Sequence, residues 1–364
     1  MKILALNPGS TSTKVALFEC DDPACGGIRE AWSDTQRYDA DVLGRFAGVM
    51  EQEEFRLAEI RRCLDEHDTH PSGLDAVVGR GGLLKPIESG TYEVNEEMLA
   101  DLRSCRWGAH ASNLGAPLAV RLASEGGDIA AFIVDPVVVD EMMPLARLSG
   151  LPEIERRSIF HALNQKAVAR RAAVELGSPY NECNLIVAHM GGGISVGAHE
   201  KGRVVDVNNA LDGDGPFSPE RAGSLPVGGL IKMAFSGDHG LPDMLKMLTG
   251  KGGLVAHLGT NDLREVVRRM DAGDERARLL FEAMAYRIAK EIGACAATLG
   301  GEVDAIVLTG GLAYNERFTG LIRERVEFVS EVKVYPGEDE MLALAEGAYR
   351  VLAGSEQARR YTRK

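Results

Sequence analysis

The chain has 364 residues, 45% hydrophobic and 26% charged, with a formal net charge of −13. That length exceeds what one hydrophobic core usually supports, so two domains are expected. The acidic balance excludes nucleic acid and an anionic membrane as electrostatic partners, and an anionic substrate must be attracted by locally placed Arg and Lys. Cysteines at 20, 25, 63, 105, 183 and 295 show no C-x-x-C or zinc spacing, as expected in a reducing cytosol. No apolar run reaches membrane-spanning length, because IAAFIVDPVVV is broken by Asp135 and Pro136. The N-terminus meets Asn7-Pro8-Gly9 within a few residues and lacks a secretory pattern, so a cytoplasmic protein is expected.

In chain order, Lys2 to Leu6 and Lys14 to Phe18 are strand-length apolar runs around the turn segment Asn7-Pro8-Gly9-Ser10-Thr11-Ser12-Thr13, which predicts a β-hairpin. Its hydroxyls, its backbone N–H groups and nearby Lys14 suit an oxygen-rich anion such as phosphate. A lone Ser/Thr turn is more often an exposed polar hairpin, and both readings stand at this point. Residues 41–67 carry an apolar stripe that predicts a helix. A buried strand follows at Leu74–Val78, ending in Gly79-Arg80-Gly81-Gly82. Helices are expected at 94–104 and 115–124, a strand at Ile129–Val134, and a helix from about Ser158 to Leu176.

The opening theme then returns: a strand over Asn184–Met190, the turn Gly191-Gly192-Gly193, and a strand from Ile194 to His199. The segment LDAVVGRGGL (74–83) also returns as VDAIVLTGGL (303–312). Two echoes in the same order point to a duplication. The spacing between hairpin and Asp-Ala strand is longer in the second half, so that half carries an insertion, visible as the Gly/Pro-rich stretch Asp206–Pro226 and the helical segment after it. Strands alternating with helices predict an α/β fold with mixed sheets. The expected division is 1–156 plus a C-terminal segment of about 338–364, against 157–337 with an insertion at about 206–260. The final helix is expected at 339–353, after Pro336-Gly337.

There is no G-x-x-x-x-G-K-[ST], no G-x-G-x-x-G after a strand and no H-E-x-x-H, so phosphate binding would rest on the paired hairpin turns. On the segments NPGSTSTK (7–14), HASNLG (110–115), HMGGGISVGAH (189–199), VDVNNALDGDGPFSPERAGSLP (205–226) and TGGLAYNE (309–316), the chain resembles the acetate kinase family of acyl kinases. That family lies within the superfamily of acetate and sugar kinases, heat-shock chaperones and actin. The resemblance implies a duplicated actin-like (ribonuclease H-like) two-domain α/β fold with nucleotide in the interdomain cleft.

The same resemblance implies site roles. Asn7, Ser10, Ser12 and Lys14 would form the first phosphate loop, and His189 with Gly191, Gly192 and Gly193 the second. Thr309, Gly310, Gly311 and Asn315 would lie beside the adenosine. Asp135 and Glu340, with Asn7, would hold Mg²⁺, Glu338 and Asp339 being neighbours that could replace Glu340. Arg80, Arg221 and His161, with Asp135, would carry the chemistry. Taken alone, each arginine reads as a surface ion pair and His161 as a structural histidine. Gly82, Ala111, Phe160 and Pro216 would line the acyl pocket, with interior packing an equal reading for Phe160 and Pro216. Acetate kinases have Arg-Val-Val where Arg80-Gly81-Gly82 stands, and a Leu where Ala111 stands, so a roomier pocket for longer acids is expected, one that Gly82→Val would narrow. They also have a His where Ser112 aligns, whereas this chain carries His110 two positions earlier.

The implied activity is reversible, ATP-dependent phosphorylation of a short carboxylic acid with ATP/ADP and Mg²⁺ as cofactors. Butyrate is expected ahead of isobutyrate, propionate or acetate, and a homo-oligomer, dimer or higher, is implied. A non-catalytic ATP-driven switch would need a client-binding domain or a polymerisation surface, and a sugar kinase would need an Asp base. Neither has support in the residues.

Overall fold

The computed structural model describes residues 1–20, 27–127 and 129–363, so Cys25 lies outside the described residues. Among those described, no helix is long and apolar enough to cross a membrane. Cys20, Cys63, Cys105, Cys183 and Cys295 are free thiols. The chain forms two compact units, one of Met1–Val139 with Asp339–Lys364 and one of Asp140–Glu338.

The first unit is built on the strands β1 (Lys2–Pro8), β2 (Ser12–Glu19), β3 (Arg29–Arg37), β4 (Ala76–Arg80), β5 (Thr91–Glu93) and β6 (Ala130–Val134). β1 and β2 form the expected hairpin, with Asn7 opposite Lys14 and Pro8 opposite Thr13. β3 extends it antiparallel, while β4 and β6 join β1 in parallel, giving the order β5-β6-β4-β1-β2-β3 with a two-residue strand, Arg359–Arg360, outside β5. The run 41–67 is not one helix. Gly44 and Gly48 interrupt it, and the full α-helix is Glu53–Glu66, preceded by a 3₁₀ turn at Val49–Gln52. Its Leu57, Ile60 and Leu64 pack with Leu4, Leu6, Val15 and Leu17 of the hairpin, and with Leu118 and Leu122 of the helix Gly115–Glu125.

On β4, a Cβ on Gly79 would overlap Gly115 O, and a Cβ on Gly115 would overlap Arg80 O. This sets the sheet hard against the first turn of that helix. The C-terminal helix Glu340–Leu352 belongs to this unit; Asp339 caps it by accepting the Leu342 N–H at 3.2 Å. Its Gly347 lies where a Cβ would stand 2.5 Å from a Val134 methyl of β6.

The second unit repeats the plan with β7 (Asn184–Met190), β8 (Ile194–Glu200), β9 (Arg203–Val207), β10 (Ala305–Gly310) and β11 (Val332–Pro336) in the order β11-β10-β7-β8-β9. β7–β8–β9 is an antiparallel meander and β10 and β11 run parallel to β7, which matches β6-β4-β1-β2-β3 strand for strand. The duplication is therefore real at the level of topology. One face of the sheet packs Ile186, Ala188, Ile306 and Leu308 against Phe281, Ala285, Ile288 and Ile292 of the long helix Glu275–Thr298. The other face packs Leu185, Val187 and Val307 against Ala169, Ala172 and Ala173 of the helix Ala162–Leu176. That helix starts at Ala162, after His161, rather than near Ser158. The inserted segment holds three short helices, Val227–Ala234, Leu241–Thr249 and Gly253–Leu258.

Residues 140–156 pack with the second unit, whereas the sequence pattern grouped them with the first. Met143 N–H donates to Val205 O, Arg156 pairs with Asp206 at 2.9 Å, and Glu141 forms a buried ion pair with Lys166 at 2.6 Å. Satisfying that buried charge anchors the segment, since an unpaired charge there would be strongly destabilising.

Candidate active site

In the first unit, the β1–β2 turn is held from beneath by Arg56, a residue of the Glu53–Glu66 helix with 0% exposure. Its guanidinium donates to Gly9 O (2.8 Å), Ser12 O (3.0 Å), Ser10 O (3.3 Å), Thr13 Oγ1 (3.1 Å) and Gln52 Oε1 (2.8 Å). No carboxylate pairs with it among the described residues. A trans peptide points its N–H opposite to its C=O, so the N–H groups of Ser10 and Thr11 face away from Arg56. The turn thus presents donors outward over a buried cation, which suits a phosphate. Thr13 is turned inward, leaving Ser10, Thr11 and Ser12 as the hydroxyls of the tip, with Lys14 exposed beside them. The sequence pattern missed Arg56 because it read the helix by its apolar stripe.

At the C-terminal end of β4, Arg80 pairs with Glu340 Oε2 at 2.5 Å, and Asn7 Nδ2 donates to the same oxygen at 2.7 Å. Of the three neighbouring acids, Glu340 is therefore the one beside Asn7. Asp339 caps its helix, and Glu338 Oε1 lies 3.1 Å from His189 Nε2 in the second unit. Asp135, just beyond β6, is 2% exposed, and its Oδ1 accepts from Ser89 Oγ (2.6 Å) and Gly90 N–H (2.7 Å). Its φ is +37°, unusual for a residue with a side chain. Strain of that kind persists where the surroundings impose it, often at sites of chemistry. These contacts bring Asn7, Arg80 and Glu340 together, while Asp135 Oδ1 is engaged by Ser89 and Gly90.

Gly82 has a different origin from the one expected. A Cβ there would stand 2.6 Å from Asn113 Cα and 2.8 Å from Leu102 Cδ2. Asn113 Oδ1 accepts from Leu83 N–H at 2.9 Å, and its Nδ2 donates to Gly108 O at 2.8 Å. The absent side chain admits Asn113 and opens no space. Gly82→Val is accordingly expected to overpack this junction and cost about 1–3 kcal/mol of stability, read as a lower Tm, in place of the shift toward shorter acids that the sequence suggested. Ala111 begins the 3₁₀ turn Ala111–Leu114 and is buried. His110 caps that turn, its Nδ1 accepting from Ser112 N–H at 3.2 Å and lying 2.9 Å from Ser112 Oγ. Burial, and then the Arg80 charge, hold its pKa below the ordinary histidine value, consistent with a neutral ring.

The only described His/Cys/Asp group with metal-like spacing is Asp34, Cys63 and His67. Burial and the Asp34 carboxylate push the Cys63 thiol up to about 11, which disfavours the thiolate a metal would need.

In the second unit, Gly191 N–H closes the β7–β8 turn onto Gly193 O at 2.9 Å. Ser218 Oγ donates to Gly192 O at 2.5 Å and accepts from Arg221 N–H at 3.0 Å, tying the inserted loop to the turn. Arg221 lies against Gly193 so closely that a Cβ there would overlap its guanidinium. Its Nη1 donates to Ala210 O at 2.7 Å, while its buried Nε has no hydrogen-bond partner. Among the described residues no carboxylate forms an ion pair with it, and burial lowers its pKa from the ordinary value. An arginine held this way is a cation awaiting an anion.

His161 stacks on His189 with ring centroids 3.8 Å apart. His189 is 1% exposed, and its Nδ1 lies 2.7 Å from Asn164 Oδ1, so it lies behind His161 and not in the open turn. Phe160 is 2% exposed, Pro216 is buried, and neighbouring Phe217 packs on the core of this unit. Thr309 spends its hydroxyl on Gly337 O at 3.2 Å. Gly310, at φ +89°, is required by the Met190 backbone beside it, whereas Gly311 faces open space. Gly311 borders a cavity of about 810 Å³ whose walls include Gly191, Gly192, Glu220, Asn261, Arg264, Tyr314 and Asn315. Asn315 also caps the helix Glu316–Val326, accepting from Phe318 N–H at 3.0 Å.

A duplicated α/β fold of the actin-like type, with a small-residue hairpin turn opening each half, is the class this architecture defines. Residues 152–343, more than half of the chain, match the acetokinase family. The chain belongs to that family and is a carboxylate kinase, a phosphotransferase that phosphorylates a carboxyl group at the expense of ATP. Acetate kinase of Porphyromonas gingivalis is similar in structure, with a TM-score of 0.78 at 23% identity over 96% of this chain and 99% of that one. A propionate kinase from Francisella tularensis matches at TM-score 0.72 and 20% identity over 95% and 98%. Acetate kinase from Entamoeba histolytica matches at 0.73 and 16% over 95% and 98%. At these identities the likeness speaks for the fold alone.

Proposed function

We propose that this carboxylate kinase phosphorylates butyrate, transferring the γ-phosphoryl group of Mg-ATP in line to the acid and releasing butyryl phosphate and ADP, reversibly. The acid has a carboxyl pKa near that of Glu, about 4.3, so it is ionised at neutral pH and needs no general base. The task left to the protein is bringing one anion up to another. The observation that carries the reading is Arg221, a half-buried arginine with no ion pair among the described residues, set against the Gly191–Gly193 turn. It would neutralise charge spreading over the equatorial oxygens in transfer, joined by Arg80 and by His161 as a hydrogen-bond donor.

Asn7, Ser10, Ser12 and Lys14 would hold phosphate on the first unit, and the Gly191–Gly193 turn would hold it on the second. The cavity beside Gly311 has room for the adenosine. Asp135 and Glu340, with Asn7, would hold Mg²⁺, which supplies charge neutralisation of the phosphates when bound. In this structure Arg80 occupies the Glu340 oxygen, so metal and arginine would share that carboxylate's charge.

Support for butyrate comes from the HASNLG segment and from Ala111 standing where acetate kinases have Leu. Butyrate carries two methylenes more than acetate, each gaining about 0.8 kcal/mol when buried, together roughly tenfold in kcat/KM. A hydroxylamine trap of acyl phosphate across C2 to C6 acids is the test. Butyrate and isobutyrate are expected to exceed acetate by about tenfold. Preference for acetate or propionate would overturn the butyrate assignment, and no trapped product from any short acid would overturn the activity.

A further inference from the structure

Behind His161 in the second unit runs a chain of buried hydrogen bonds that the activity does not by itself require. His161 Nδ1 lies 2.9 Å from Ser195 Oγ. Gln165 Nε2 stands 2.8 Å from that hydroxyl and 3.0 Å from Ser195 O. Gln165 Oε1 lies 3.0 Å from His199 Nε2, and His199 Nδ1 lies 2.8 Å from Tyr180 Oη. Ser195, Gln165 and His199 are each 0% exposed.

The donors and acceptors in this chain can be assigned one at a time. A backbone carbonyl only accepts, so the Gln165 atom facing Ser195 O is the NH₂ nitrogen and the other end is the oxygen. That oxygen only accepts, so His199 carries its proton on Nε2. Burial and the nearby Lys166 and Arg170 charges hold His199 well below the ordinary histidine pKa, so its Nδ1 is bare and accepts from the Tyr180 hydroxyl. The Gln165 NH₂ group divides its two hydrogens between Ser195 O and Ser195 Oγ. The His161 backbone N–H approaches the same Oγ at 3.4 Å, filling the second lone pair. The single Ser195 hydroxyl proton then has one acceptor left, His161 Nδ1.

The geometry points to Ser195, Gln165 and His199 as positioning residues that fix His161 as a neutral ring with its proton on Nε2. Stacking on His189 fixes the ring plane, so both the plane and the proton are set before substrate arrives. Protonating Nδ1 would aim an N–H at a hydroxyl whose lone pairs are already taken. His161 would then donate a hydrogen bond from Nε2 to a phosphoryl oxygen without surrendering a proton, an arrangement suited to a reaction that transfers none. This last step rests on the proposed phosphoryl role of His161; the tautomer does not.

The test is ¹⁵N–¹H correlation NMR on ¹⁵N-histidine-labelled full-length protein at neutral pH, with His161 assigned by its absence in His161→Asn. Wild-type protein is expected to show a pyridine-type Nδ1 and a pyrrole-type Nε2 at His161. The opposite pattern, or a doubly protonated ring, overturns the assignment. In Ser195→Ala the Nδ1 partner is lost and the Nε2–H pattern should give way to a mixture, with kcat down about tenfold and the KM for ATP nearly unchanged. In Gln165→Glu the hydroxyl proton should turn to the new carboxylate, driving the proton onto His161 Nδ1. If that variant does not fold, Ser195→Ala still decides. An unaltered His161 pattern in folded Ser195→Ala overturns the positioning role. A changed pattern with unchanged kcat would keep the network and overturn the phosphoryl role of His161.

Discussion

Arg221→Ala is expected to lower kcat by about 100-fold or more while leaving nucleotide affinity nearly unchanged. The side chain is half-buried with its Nε shielded, it has no carboxylate partner among the described residues, and its Nη1 donates to Ala210 O. Held between a backbone carbonyl and Gly193, it is preorganised, and in the proposed reaction it would stand where charge develops when two anions are joined. Such a group contributes more in the transition state than in the nucleotide complex, so the loss should fall on kcat. Turnover by the hydroxamate assay and ATP affinity by calorimetry separate the two. A variant that loses ATP binding yet turns over normally at saturation would show Arg221 to be a nucleotide ligand. Gly193→Ala should phenocopy the loss, because the added methyl takes the space of the guanidinium.

Arg56→Met carries the second large effect, on stability and on the phosphate loop together. The side chain is fully buried and bonds Gly9 O, Ser10 O, Ser12 O and Thr13 Oγ1, with its guanidinium 4.9 Å from the Tyr38 ring. Methionine fills most of the volume but leaves those acceptors unmet where water cannot reach. A total loss of about 3–5 kcal/mol is expected by chemical denaturation, by analogy with stripping one partner from a buried charge network. Among molecules that remain folded, ATP should bind more weakly, since the turn loses both its shape and its underlying positive charge. Wild-type stability in this variant would show the contacts to be incidental.

The sequence made some of this visible and hid the rest for physical reasons. Small residues at a turn between two apolar runs announce a hairpin, and both hairpins are where Gly9 and Gly191 mark them. The third strand of each sheet was invisible: Arg29–Arg37 is a polar edge strand, and Arg203–Val207 sits next to a Gly/Pro-rich segment that masks it. Arg80, Asp135 and Arg221 stand at strand ends or loops beside glycine or proline, which is why they could be singled out. Arg56, Ser195, Gln165 and His199 could not, because a polar residue inside a helix or strand shows nothing of its partner until the chain is folded. Gly82 was misread for a related reason: a missing side chain looks the same whether it leaves room for a ligand or for Asn113.

The helix Glu340–Leu352 completes the first unit although the whole of the second lies between it and Val139. On a chain emerging from the ribosome, the second unit can close upon itself while the first still lacks the helix whose Ala343, Leu344 and Ala348 are buried. Until residue 352 has emerged, the face of β6 that receives Gly347 stays wet, and Asn7 and Arg80 lack their common partner Glu340. Order of synthesis and order of folding are therefore reversed: the amino-terminal half is finished last. Its incomplete form is the species a chaperone would have to shelter, and the β1–β2 turn acquires its full set of neighbours only after the β7–β8 turn is already in place.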